Sequence, residues 1–218
     1  MLQQKLIVGR FIHFRFPTPP AGGHAQNPAV FITVPQNMMN IAESTGVFKK
    51  TSTTGAGAHA TKPWRTFGWL PWLPGSISEV QMGGSDVLTG PMSGCDLVMY
   101  RRAGVTYAGH LGTDVGADAQ NASVKATWNG FAVASGQANI IGGFNPFLGW
   151  VGAYPVANAN DLGAPIFFGL YTTAGVFYTL VLFSQRQAAG STAAHPSLRR
   201  IAGLQQIASK TYAQLCNL

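Results

Sequence analysis

Residues 165–184, PIFFGLYTTAGVFYTLVLFS, carry no charge over twenty positions, and no other stretch restricts the possible folds as strongly. A run of that length is long enough for a membrane-spanning helix. Its centre, Thr172-Thr173-Ala174-Gly175, instead places turn residues between two halves rich in aromatic and β-branched side chains, and no basic flank brackets it closely. The expectation is two buried strands joined by a turn, with no membrane span.

Composition supports a strand-rich fold. Charged residues make up 10% of the 218, beside 27 Gly and 13 Pro, which suits strands and turns better than long solvated helices. A chain of this length can bury a full core without disulfides or metals, so residues 1–218 read as one domain. Strands are expected over residues 6–16, 29–34, 122–134 and 137–141. Residues 44–62 read as a flexible loop, because Gly55-x-Gly57 lacks both the βαβ context of a dinucleotide site and the ending of a phosphate loop. Trp64, Trp69 and Trp72 are interleaved with Pro71 and Pro74, which exclude a continuous helix. These tryptophans form either a packing cluster in a rigid loop or the wall of a cleft.

Residues 197–215 read as a helix, with Ser197 as cap and Leu198, Ile201, Leu204, Ile207 or Ala208, and Leu215 near one stripe. Cys216 would close that stripe as a small buried hydrophobe. Together these elements place the chain in the α/β class in its α+β form: a mixed β-sheet sandwich flanked by helices and long loops.

The net charge of +7 reflects a shortage of acids. Lys49-Lys50, Arg101-Arg102 and Arg199-Arg200 are isolated pairs without the basic runs and interleaved aromatics of nucleic-acid grooves, so no nucleic-acid partner is expected. The two cysteines, Cys95 and Cys216, make no disulfide framework or zinc spacing. The five histidines, His13, His24, His59, His110 and His195, show no metal-ligand pairing, and no metal is expected. Lys5, Arg10 and Arg15 interrupt the first sixteen residues, which therefore lack the apolar core of a secretory signal.

One stretch carries chemistry. Residues 89–113, TGPMSGCDLVMYRRAGVTYAGHLGT, read as a β-hairpin, with arms over 96–101 and 105–111 around Arg102-Ala103-Gly104. Partners in an antiparallel hairpin share a constant index sum, and pairing Cys95 with His110 centres the turn between Arg102 and Ala103. Such a pairing would set a thiol and an imidazole on one face, roughly 4.5–5.5 Å apart at Cβ. A thiolate is stabilised by an adjacent imidazolium, and the imidazole can return the proton to a leaving group. Ser93 and Gly94 leave room for a substrate carbonyl to approach the backbone, with the Cys95 amide as oxyanion donor. Thr89, Asp96 and Asp114 are rival groups to orient the imidazole, though Asp96, next to Cys95 on a strand, points to the opposite face.

The words around the pair are more specific. MSGC, an apolar strand, the Arg-Arg-Ala-Gly turn and TYAGHLGT, with fifteen residues from Cys95 to His110, resemble the signature of the cytotoxic necrotizing factors. Trp69-Leu70-Pro71-Trp72, Pro74-Gly75-Ser76-Ile77-Ser78 and Thr89, six positions before the cysteine, are similar to the Burkholderia lethal factor branch of the same fold group. The chain thus resembles the cytotoxic necrotizing factor / Burkholderia lethal factor family of bacterial glutamine deamidase toxins, through motifs between Trp69 and Thr113. The cysteine-to-histidine interval agrees with the necrotizing factors.

The resemblance implies a deamidase toxin-like fold and a virulence effector that converts a target-protein Gln to Glu through a thioester, without cofactor or metal. Cys95 would be the nucleophile and His110 the acid and base. Thr89 matches the lethal factor's histidine-orienting threonine, whereas a backbone carbonyl has that role in the necrotizing factors. The implied partner is a host protein, with Rho-family GTPases and a translation-initiation helicase as precedents. The protein is expected to act as a monomer in the host cytoplasm after export without a signal peptide, or otherwise in the bacterial cytoplasm. Two other readings stay open: a cysteine protease or transglutaminase, and a non-catalytic protein-binding module in which Cys95 and His110 are core residues.

Overall fold

The computed structural model describes residues 2–17, 27–44, 61–188 and 191–218. In chain order its strands are β1 (Phe11–His13), β2 (Phe31–Thr33), β3 (Asn37–Ser44), β4 (Thr61–Leu70), β5 (Ile77–Gln81), β6 (Val87–Met92), β7 (Leu97–Arg102) and β8 (Val105–Leu111). Helix α1 (Asp118–Ser135) precedes β9 (Ile140–Phe144), β10 (Asp161–Tyr171), β11 (Phe177–Arg186), β12 (Ala194–Ile207) and the one-turn helix α2 (Tyr212–Leu215). Seven strands close into a barrel in the order β1, β12, β11, β10, β6, β4, β3. The other five form an open sheet in the order β2, β5, β8, β7, β9. The fold is therefore α+β, with two sheets and few helices.

Strand alternation sets the layers. In β7, Val98 and Tyr100 face α1, whose Val124, Trp128 and Ala132 recur every four residues and are buried against them. Leu97 and Met99 face the other way, onto Val87, Phe167 and Tyr171 of the barrel wall. The barrel interior is filled by Phe14, Phe67, Trp69, Leu88, Phe168, Leu170, Leu180, Leu182 and Ile201. Each such side chain stabilises the fold by roughly 1.5–3 kcal/mol relative to its exposed state.

The uncharged stretch forms β10 and β11, paired from Ile166↔Leu182 to Tyr171↔Phe177. It lacks charge because both of its faces are covered: Phe168 and Leu170 point into the barrel, and Phe167 and Tyr171 toward the open sheet. Among the described residues no helix is long and apolar enough to cross a membrane.

Several expected elements differ. Residues 122–134 lie in helix α1, where the buried Val124, Trp128 and Ala132 follow a helical period that the alanine-rich sequence disguises. Residues 137–139 form a 3-10 turn before β9. Residues 197–207 belong to strand β12, not a helix. There Leu182 pairs with Ile201 and Val181 with Gly203, so Ala202 is an extra residue. That bulge lets Ile201 and Leu204, three positions apart, both pack with the barrel interior and imitate a helical stripe. The Ser197 hydroxyl bonds His13 Nδ1 at 3.0 Å and caps no helix. The helix begins later, where Thr211 and Gln214 form a capping box.

Of residues 6–16 only Phe11–His13 is strand, and of 29–34 only Phe31–Thr33. Trp64 and Trp69 lie on β4, so the rigid loop shrinks to residues 71–76. Most of the expected loop at 44–62 lies outside the described residues, and its ends belong to β3 and β4.

Candidate functional site

The hairpin forms with a register two residues from the expected one. Arg102 pairs with Val105 and Leu97 with His110, and the turn is the two-residue Ala103-Gly104. Ala103 has φ 51° and Gly104 φ 78°, as a tight hairpin turn of positive-φ residues requires. A turn centred on Arg102-Ala103 would put two side-chain-bearing residues there and waste the glycine, which explains the shift. Because the slip is two residues, every side chain keeps its face. The bond from Leu111 N–H to Asp96 O, 3.0 Å, extends the ladder, so Gly112 falls opposite Cys95 and His110 lies on the diagonal. Diagonal neighbours sit about 7–8 Å apart, with Cβ atoms somewhat nearer.

His110 is wholly buried where the open sheet meets the barrel. Its strand neighbours are Ser78 of β5 and Leu97 of β7. Thr89 approaches from β6 on the barrel side, and its Oγ1 lies 2.8 Å from His110 Nδ1. The other ring nitrogen, Nε2, is buried and has no hydrogen-bond partner among the described residues. Burial takes the imidazole down from its ordinary value to about 3, so it is neutral at physiological pH.

Cys95 sits just before β7 and lines a cleft of about 340 Å³ with Trp72, Met92, Ser93, Thr113, Asp114, Ile166 and Phe167. That volume is at the lower end of the roughly 300–1,000 Å³ of small-ligand pockets. The residue is 5% exposed. Its sulfur bonds to Thr113: the S–H donates to the carbonyl oxygen at 3.4 Å, and the Thr113 hydroxyl donates to Sγ at 3.4 Å. Burial pushes the thiol up, the Thr113 hydroxyl pulls against it, and the Asp96 and Asp114 carboxylates add to the rise. The resting pair is thus a thiol and a neutral imidazole, which differs from the preformed thiolate–imidazolium pair that the chemistry of such sites suggests.

The rival orienters fall away. Asp96 points to the far side of the sheet and pairs with Lys210 Nζ at 2.5 Å. Asp114 stands at the cleft rim, exposed, with Oδ1 accepting from Val115 N–H at 2.8 Å. Of the three, Thr89 holds His110 Nδ1. Ser93 lines the cleft, and Gly94 has φ 143°, a conformation that side chains rarely adopt. Among the described residues no acceptor is bonded to the Cys95 amide. The tryptophans divide: Trp69 is barrel core, whereas Trp72 lines the cleft and donates Nε1–H to the Thr113 carbonyl at 3.2 Å. The Trp64 side chain lies outside the described residues.

Sequence reasoning missed three supporting residues. Thr113 holds the sulfur. Asn145 Nδ2–H donates to Gly94 O at 2.7 Å and fixes the turn that presents Cys95. Phe167 walls the cleft from β10. The Asn145-Pro146 turn signal and the position of Thr113 directly after the His-Leu-Gly words were visible, but their contacts come from distant strands. Cys216 is half-buried at the end of α2, away from the cleft lining. Among the described residues no group of three His, Cys, Asp or Glu side chains could hold a metal ion.

Comparison with known protein families, curated proteins and solved structures yields no match to this chain.

Proposed function

We propose that the protein is a toxin-type glutamine deamidase that converts one glutamine of a host protein to glutamate. The observation that carries this reading is the Thr89–His110 bond of 2.8 Å, which engages Nδ1 and leaves the buried Nε2, on the cysteine-bearing face of the hairpin, without a partner among the described residues. With Nδ1–H donated to Thr89, Nε2 carries the lone pair that a general base needs.

A glutamine side chain enters beside Trp72 and Phe167, and the Cys95 S–H turns from the Thr113 carbonyl toward His110 Nε2. As Nε2 takes the proton, Sγ adds to the carboxamide carbon, and the C=O electron pair moves to oxygen, opposite the Cys95 amide N–H. The tetrahedral species collapses, its C–N bond breaks, and Nε2–H protonates the nitrogen so that ammonia leaves. Water then gives a proton to Nε2 and its oxygen to the thioester carbon. Breakage of the C–S bond returns the thiol and leaves glutamate. The neutral resting pair means that charge separates only while substrate covers the cleft, which protects the thiol from stray oxidation.

Rho-family GTPases and a translation-initiation helicase are the target classes to try first, since one new carboxylate can disable the active site of either. Action in the host cytoplasm, as a monomer, belongs to the same reading. Ammonia release from a host-cell lysate tests it: wild type produces ammonia, Cys95→Ser and His110→Gln do not, and equal release by Cys95→Ser rejects it. The near-complete burial of Cys95 and His110 favours one second reading, a protein-binding module in which both are core. Cys95 inert to iodoacetamide even in the presence of lysate would support that module.

A further inference from the structure

The Cys95 sulfur makes both of its hydrogen bonds with one residue, and the two respond oppositely to ionisation. The Thr113 carbonyl, 3.4 Å away, can hold only the thiol, since it accepts the S–H. The Thr113 hydroxyl, also at 3.4 Å, donates to sulfur and binds the thiolate more strongly than the thiol. Thr113 is itself held from several sides. Trp72 Nε1–H donates to its carbonyl at 3.2 Å, and its own N–H donates to Leu111 O at 2.8 Å. The preceding Gly112 donates to Ser76 O at 2.9 Å and accepts from Gly75 N–H at 2.7 Å. With its backbone fixed by such contacts, Thr113 keeps its hydroxyl beside the sulfur before charge develops.

The geometry points to Thr113 as the positioning residue of Cys95, its hydroxyl holding the sulfur as the proton leaves, in the way that Thr89 holds the imidazole. The role rests on the deamidase reading for its purpose, but its thiol readout does not.

Thr113→Val removes the hydroxyl and keeps the side-chain shape; Thr113→Ser keeps the hydroxyl. Alkylation by iodoacetamide, in which the C–S bond forms and iodide leaves, is followed against pH by peptide mass spectrometry, which separates Cys95 from Cys216. Thr113→Val moves the Cys95 midpoint upward by about one pH unit or more and lowers kcat for ammonia release about tenfold, with KM within about twofold. Thr113→Ser restores both. An unmoved midpoint in Thr113→Val, with wild-type ammonia release intact, overturns the assignment. A moved midpoint with no ammonia release by the wild type keeps Thr113 in this role and removes the deamidase reading. If Thr113→Val does not fold, Thr113→Ala is read in the same way.

Discussion

Thr89 Oγ1 and His110 Nδ1 stand 2.8 Å apart and join the barrel to the open sheet at a point closed to water. A buried hydrogen bond of this kind fixes both ring orientation and tautomer. Thr89→Val should lower kcat for ammonia release roughly tenfold to a hundredfold, the equivalent of about 1–3 kcal/mol, while Thr89→Ser stays near wild type. Parallel losses in both variants would show that the hydroxyl is not the group that matters.

The buried imidazole also makes stability depend on pH. Its folded value of about 3 lies below the ordinary 6.5, so between those values the unfolded chain binds a proton that the native protein refuses. Stability therefore falls as pH drops below about 6.5, by about 1.4 kcal/mol per unit from this group, and levels off near 3. Urea unfolding at pH 7, 5.5 and 4.5 should show that slope in wild type and a flatter one in His110→Gln. Equal slopes would place the acid sensitivity elsewhere.

Gly112 makes the site possible by having no side chain. A Cβ there would lie 1.9 Å from Leu73 O, a backbone atom, and 2.8 Å from Ser76 O. Gly112→Ala should destabilise the protein by roughly 1–3 kcal/mol or more, lowering the melting temperature by about 2–4 °C per kcal/mol. An unchanged melting temperature would contradict the close packing of residues 73–76 beneath Thr113.

Asn145 tests the turn before Cys95. Its Nδ2–H bond to Gly94 O spans 51 residues of sequence yet lies at an exposed position. Asn145→Ala should lower the melting temperature by no more than about 4 °C and reduce kcat/KM roughly fivefold to tenfold, since one exposed bond contributes about 1 kcal/mol. A large stability loss with unchanged activity would reverse its assigned role.

What was legible in the sequence followed local rules. The β10/β11 pair announced itself because a strand buried on both faces has nowhere to keep charge, and Thr172-Thr173-Ala174-Gly175 marked its turn. The hairpin and the shared face of Cys95 and His110 were readable from alternation. Their register was not, since only the need for positive φ at Ala103 and Gly104 separates it from the neighbouring one. Strand β12 has the sequence pattern of a helix because a bulge at Ala202 gives a strand helical spacing, and bulges depend on the partner strand. Helix α1 has the sequence pattern of a strand because alanine hides its period. Closure of seven strands into a barrel, and the resting neutrality of Cys95 and His110, depend on burial by distant residues that no local pattern records.

The central claim is that Cys95 attacks a glutamine amide with His110 as its base. Peptide mass spectrometry of host proteins incubated with the wild type, Cys95→Ser and His110→Gln tests it most directly. The account predicts one glutamine converted to glutamate by the wild type and by neither variant. Conversion by Cys95→Ser, or cleaved or amine-linked target in place of the glutamate, would contradict it.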